Sequence, residues 1–268
     1  MTLGTTTSTE TLHRVGRHAT IAHPRPGVAV VTLVDSKSMN ILGSAPITDL
    51  TEAVQQVAAE PDLRVLVLRG DGDRAFLGGG DIFEMAQLER DSAEAFITRL
   101  KGLCDALQQS PVPVIARLSG WCLGGGLEVA MACDLRIAER GAQFGMPEVA
   151  VGIPSVIHSA LMPGLIGWSR ASYLLLTGEN IDAATALEWG LVQEVVEPVH
   201  LDERIETLVE RFLSFGPSVV RQQKALLSKW SSMTTRAAIE DSVQQFGLAF
   251  LTGEPQHHMG RFVAEKRG

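Results

Sequence analysis

Short apolar runs alternate with longer segments in which apolar residues recur every three or four positions. The short runs are GVAVVTLVD (27–35), LRVLVLRG (63–70), PVIARLSG (113–120), DLRIA (134–138) and LVQEVVE (191–197). They are rich in aliphatic residues and predict strands. Between them, ITDLTEAVQQVAAE (47–60) places Ile47, Leu50, Val54 and Val57 on one helical face. AEAFITRLKGLCDALQQS (93–110) does the same with Phe96, Leu100, Leu103 and Leu107. Pro61, Pro111 and Pro113 mark the ends of those helices. Strands alternating with helices predict an α/β core with a largely parallel sheet. From about residue 202 the pattern turns helical, in ERIETLVERFLSF and VVRQQKALLSKW, with Gly216-Pro217 between them. The chain reads as a mobile Thr/Ser-rich leader over 1–20, an α/β core over 21–200 and a helical region over 201–268.

Composition narrows the function classes. A chain of 268 residues has room for a large core. Its net charge of −8 argues against a nucleic-acid partner. An anionic ligand would have to be held by local cations or backbone N–H groups. Cys104, Cys122 and Cys133 are odd in number and form no CxxC pair. That argues against a disulfide framework and a zinc site, and predicts a reducing, cytoplasmic compartment. No apolar run is long enough for a membrane span, and the opening residues hold no apolar signal core.

Two glycine-rich loops carry the candidate chemistry: RAFLGGGDIFEM (74–85) and WCLGGGLEVAM (121–131). Neither matches GxGxxG, GxxxxGK[ST] or GxSxG, so dinucleotide, Walker-type and serine-hydrolase readings lack support. Glycine loops leading into helices still offer N–H groups to an oxyanion. Asp71, Asp73 and Asp81 fit no metal-ligand spacing and read as turn and cap residues. Within the second loop Glu128 sits among Leu127, Val129, Ala130 and Met131. A carboxylate is rarely buried without a partner or a task. A second one, Glu148, lies in QFGMPEVAVGIP (143–154), on a turn or strand end set by Pro147. Two such carboxylates could share a water, one activating it and the other moving a proton. Spacing alone leaves a chance pair equally open.

Taken in order, these segments resemble the enoyl-CoA hydratase/isomerase family, the crotonases. The resemblance rests on VTLVDSKSMNIL (31–42), RAFLGGGDIFEM, PVPVIARLSGWCLGGGLEVAMACDLRIA (111–138) and GAQFGMPEVAVGIP (141–154). It extends through LLLTGENIDAATALEWGLVQEVV (174–196) and the GEPQHHMGRFVAEKR ending. It implies a crotonase-like spiral of ββα repeats with a helical C-terminal trimerisation region, assembled as a homotrimer or dimer of trimers. It implies an acyl-CoA substrate of the kind met in fatty acid metabolism. No metal or separate cofactor is implied, because coenzyme A is part of the substrate.

By the same resemblance, the N–H groups of Gly80 and Gly125 form an oxyanion hole for the thioester oxygen. Glu128 activates water for attack on C3, and Glu148 supplies the proton that ends on C2. Ser38, Met39, Asn40, Gly79, Asp81, Ile82, Trp121, Gly124, Phe262 and Lys266 fall at positions that contact the CoA or acyl group. The family's isomerases commonly use the later acid alone, so the presence of both favours hydration. An isomerase and a non-catalytic CoA binder are the alternatives.

One segment departs from the family's glycine-rich pattern: PSVIHSALMPGLIGW (154–168). Ser155, Val156 and Ile157 stand where small, flexible residues are usual. The departure opens an unusual acyl group, such as that of methylthioacryloyl-CoA. His158 reads as a hydrogen-bonded helix residue or an extra acid–base group, and Cys122 as a small buried side chain rather than a nucleophile. Lys224 resembles a frequent family lysine or is a solvated helix residue.

Overall fold

A computed structural model describes residues 12–267. Its backbone frame is a seven-stranded sheet. The strands are β1 (His13–Val15), β2 (Ala19–Arg25), β3 (Val28–Leu33), β4 (Val65–Gly70), β6 (Val114–Leu118), β8 (Leu135–Glu139) and β11 (Glu194–Val196), in that spatial order. β1 to β3 are antiparallel, and β3 onward run parallel. A second sheet holds β5 (Ala75–Leu77), β7 (Trp121–Leu123) and β9 (Gln143–Gly145) in parallel, with β10 (Asn180–Asp182) antiparallel on β9.

Successive turns of chain visit one sheet and then the other. β4 leads to β5 and, past the short α2 (Ile82–Met85), to α3 (Arg90–Gln108). β6 leads to β7 and then to α4 (Gly125–Ala132). β8 leads to β9 and then to a tight turn over Pro147–Val151. This is the expected spiral of ββα units. Each turn brings the residues that follow its second strand, Gly78 to Gly80, Gly124 and Gly125, and Pro147 and Glu148, to one place.

Period-two alternation explains the layers. In β4, Leu66 and Leu68 face the main core with α1 (Ser44–Ala58) and α3, while Val65 and Val67 face α8 (Leu201–Ser214). α8 buries Leu201, Ile205, Leu208 and Val209 there. The division placed at residue 200 therefore falls within continuous packing. α5 (Met162–Ile166), α6 (Trp168–Thr177) and α7 (Ala183–Trp189) complete the spiral, and α9 (Pro217–Trp230), α10 (Thr235–Ala249) and α11 (Glu254–Arg267) follow α8.

Two expectations change. Of the leader expected over 1–20, residues 1–11 lie outside the described residues. Residues 13–15 and 19–20 are strand, and Val15 and Ala19 are core residues. A hairpin on the sheet edge satisfies their backbone groups and buries their apolar side chains. Lys224 is not solvated: it is 7 % exposed, and its Nζ donates to both carboxylate oxygens of Asp134 at 2.6 Å. Asp134 also accepts the Val114 N–H at 2.8 Å, so the pair ties α9 to the start of β6. Lys224→Ala leaves that carboxylate without its cation and is expected to cost about 3 kcal/mol in urea unfolding. A stability unchanged in such a titration would mean that α9 is held by its apolar contacts alone.

Candidate active site

The site lies where the spiral's glycine loops meet the N-terminus of α4. All eight residues of α4 are buried, so this short helix is apolar on every side apart from Glu128. Gly124 precedes it at φ 53°, ψ −126°, a conformation only glycine adopts easily. A side chain there would also collide with Glu148, whose Oε1 is 2.5 Å from the position of a Cβ. The Glu148 carboxylate therefore lies against the entry to the helix that carries Glu128.

A cavity of about 120 Å³ opens at this point. Gly79, Gly80, Gly124 and Gly125 line it with Glu128 and Glu148, and Met85, Phe96, Leu100, Ile153 and Val156 supply apolar walls. Gly80 forms a parallel bridge with Leu42, in which the Leu42 N–H donates to the Gly79 carbonyl and the Asp81 N–H to the Leu42 carbonyl. That pattern uses the groups on either side of Gly80 and turns its own N–H the other way. Gly125 is the first residue of α4, where N–H groups have no partner within the helix. Among the described residues neither N–H has a backbone acceptor. Two donors, one at the positive end of a helix, therefore border the same cavity as two carboxylates.

Both carboxylates are shifted toward the protonated form. Burial pushes Glu128 up to about 7; hydrogen bonds from Ser159 oppose this, and the Glu148 charge adds to it. Burial also raises Glu148, against the Ser155 hydroxyl and a backbone hydrogen bond. The Ser159 N–H and Oγ both donate to Glu128 Oε1, at 2.9 and 2.7 Å. Ser155 Oγ donates to Glu148 Oε2 at 3.0 Å.

Of the site residues implied by the resemblance, seven line this cavity: Gly79, Gly80, Ile82, Gly124, Gly125, Glu128 and Glu148. The others lie outside its lining. Asp81 caps α2 by accepting the Phe83 N–H, and pairs with Lys37 at 2.7 Å, which lowers its pKa. The Asn40 side chain donates to the carbonyls of Ala75 and Asp71, pinning the loop into β5. Met39 accepts the Gly78 N–H through its carbonyl, and Ser38 is exposed. Trp121 does not wall the cavity. It pairs with Gln143 and Ala75 at the start of β7, and Leu123, two positions on, is the β7 residue that reaches the cavity. Phe262 and Lys266 are exposed on α11, with the Lys266 Nζ 5.8 Å from the Phe262 ring centre.

His158 is a hydrogen-bonded residue of a short turn (Ile157–Leu161), its Nε2 2.9 Å from Gln108 Oε1. Burial lowers its pKa and favours the neutral ring. Burial likewise pushes the Cys122 thiol far up, so it is no nucleophile at neutral pH. The sequence reading missed Ser159 altogether; its only signal was that it lies in the atypical 154–168 segment.

Residues 24–268 match the family model described as enoyl-CoA hydratase/isomerase. The chain is 34% identical over 241 residues to a crotonyl-CoA hydratase of Syntrophomonas wolfei, covering 90% of this chain and 93% of that protein. It is 37% identical over 205 residues to the (E)-benzylidenesuccinyl-CoA hydratase of Thauera aromatica, covering 75% and 80%. The crystal structure of an enoyl-CoA hydratase from Bacillus anthracis superposes with a TM-score of 0.88 at 29% identity, covering 93% of this chain and 97% of that one. Loop order, paired glutamates, fold and relatives agree: the chain belongs to the enoyl-CoA hydratase/isomerase family.

Proposed function

We propose that the protein is an enoyl-CoA hydratase, adding water across the C2=C3 bond of an α,β-unsaturated acyl-CoA. One observation carries the reading: a buried carboxylate, Glu128, and a partly buried one, Glu148, both of raised proton affinity, share a cavity with two N–H groups that have no backbone acceptor among the described residues. Ionised Glu128 takes a proton from water as the water oxygen bonds to C3. The C2=C3 electron pair moves toward the thioester, and the oxygen gains enolate character between the N–H groups of Gly80 and Gly125. Glu148, protonated in the reactive form, delivers a proton to C2 as the thioester carbonyl re-forms, and the proton gained by Glu128 returns to Glu148 through solvent, so that the net change is addition of one water. Preorganised donors of this kind are worth about 3–4 kcal/mol each in the barrier. A base with a pKa of about 7 suits work at neutral pH.

The same reading includes assembly into a homotrimer or dimer of trimers. Exposed Ile239, Val243 and Phe246 on α10 support it, since a helix seldom leaves such residues in water. Three buried free thiols fit a reducing cytoplasm.

The test is loss of conjugated enoyl-thioester absorbance, with product mass, on crotonyl-CoA, a longer straight-chain enoyl-CoA, a branched one and methylthioacryloyl-CoA. Water addition to at least one thioester, abolished by Glu128→Gln and by Glu148→Gln, is expected. Failure of the wild type on all four would overturn the reading for these substrates. Double-bond migration that survives Glu128→Gln would make the protein an isomerase.

A further inference from the structure

We propose that the 154–161 loop is the positioning element for both acids, with Ser159 orienting Glu128 and Ser155 orienting Glu148. This rests on the hydratase reading and deepens it. The two serines are four residues apart, yet each reaches a different glutamate. Both Ser159 donors go to Glu128 Oε1, which leaves Oε2 as the oxygen near Gly125, 4.0 Å from the position of a Cβ there. Ser155 holds Glu148 Oε2 and leaves Oε1 against Gly124. Each carboxylate thus has one oxygen fixed by the loop and one turned toward the glycines that open α4.

The loop is itself held in a costly shape. Ile157, between the serines, has φ 39°, a left-handed conformation that is an outlier for a β-branched residue. Such a backbone persists only where its surroundings over-determine it. His158 supplies part of that hold. It is 8 % exposed and bonded to Gln108 on α3, with Asp105 at 3.6 Å. Ser159, the next residue, is 3 % exposed and has its hydroxyl on Glu128.

A hydroxyl that donates to a carboxylate favours the ionised form. Ser159→Ala should therefore raise the proton affinity of Glu128, and Ser155→Ala that of Glu148. Other titratable groups facing Glu128 are few. Glu148 approaches from the Pro147–Val151 turn and Cys104 from α3, its thiol pushed up by burial. Cys122 and Cys133 flank α4, both pushed up by burial. His158 lies beyond Ser159, with Asp105 and Lys101 of α3 beside it, and its pKa is lowered by burial. Above neutral pH the thiols and His158 stay uncharged, which leaves the two glutamates to shape the profile.

The experiment compares wild type, Ser159→Ala, Ser159→Thr and Ser155→Ala as full-length protein. kcat and KM are measured against pH on the best thioester of the panel. The carboxyl carbons of 13C-labelled glutamate are titrated in the ligand-free protein, with Glu128→Gln and Glu148→Gln giving the assignments. For Ser159→Ala we expect kcat to fall about tenfold at pH 7, KM to stay within about threefold, and the Glu128 midpoint, with the limb it governs, to move up by about one pH unit. Ser159→Thr keeps the hydroxyl and should restore the limb. Ser155→Ala should move the Glu148 midpoint upward instead. Limbs and carboxyl midpoints that coincide with wild type, whatever the loss of rate, would overturn the positioning role. If wild type hydrates nothing while Ser159→Ala still raises the Glu128 midpoint, the hydratase reading fails and the orienting role of Ser159 stands.

Discussion

Glu128→Gln is expected to abolish water addition and at the same time stabilise the folded protein at pH 8. The activity loss follows from removing the base. A glutamine holds no proton-accepting carboxylate, and general-base catalysis typically contributes about 10²–10⁴-fold. The stability gain follows from the burial that makes Glu128 a base near neutral pH. Its pKa rises from the ordinary 4.5 to about 7, chiefly through desolvation. For a group whose folded pKa is raised, the favourable contribution is fully present below the unfolded value. It is lost as pH climbs through the folded value. Between about pH 4.5 and 7 the wild type therefore comes to bear the cost of a charge in a site 3 % exposed to solvent. At pH 8 that cost is on the order of 3 kcal/mol. Glutamine stays neutral, and its carbonyl can still accept from the Ser159 N–H and Oγ, so the variant escapes the penalty. Urea unfolding at one fixed protein concentration should show the variant gaining stability at pH 8 and much less at pH 5. A difference independent of pH would mean that Glu128 is ionised at no unusual cost.

That coupling explains how much of the site can be read from the chain. Glu128 was conspicuous because a carboxylate stood inside an apolar stretch, and burial followed from its neighbours. Its convergence with Glu148 was not legible from spacing, because it depends on β7 and β9 pairing side by side. Those strands, like β5 and β10, have three residues each, too few for alternation to register. The longer elements were legible for the opposite reason. α3 repeats its apolar stripe from Phe96 to Leu107, and β3, β4 and β6 are nearly continuous apolar runs because parallel strands are covered on both faces. The edge hairpin at 13–25 was missed because its Thr, His and Arg residues hide the burial of Val15, Ala19 and Ile21. Ser155 drew notice only as a replacement for a small residue, and Ser159 not at all. A serine's acceptor is set by the fold and leaves no pattern in its neighbours.

The second large effect expected is from Gly126→Ala, a change of one methyl group on the second residue of α4. Its Cβ would stand 2.1 Å from the Leu77 carbonyl oxygen and 2.7 Å from the Leu77 carbonyl carbon. Backbone atoms cannot rotate away as a side-chain tip can, so α4 and β5 must separate. Leu77 is the last residue of β5, and Gly78, Gly79 and Gly80 follow it directly. Any shift of Leu77 carries the Gly80 N–H away from the Gly125 N–H and opens the proposed pair of donors. Overpacking of this kind costs about 1–3 kcal/mol in stability. A misplaced oxyanion donor costs about 10²–10³ in kcat. Gly102→Ala is the internal comparison. It lies in α3 with nothing within 4 Å of its Cβ, and should be neutral in rate and stabilising by about 0.5–1 kcal/mol. The two variants add the same atom, so a rate loss confined to Gly126→Ala reports the approach of α4 to β5 and not a general response to added bulk. Hydration at the wild-type rate in Gly126→Ala would show that the spacing between α4 and β5 does not govern catalysis, and would count against Gly80 as an oxyanion donor.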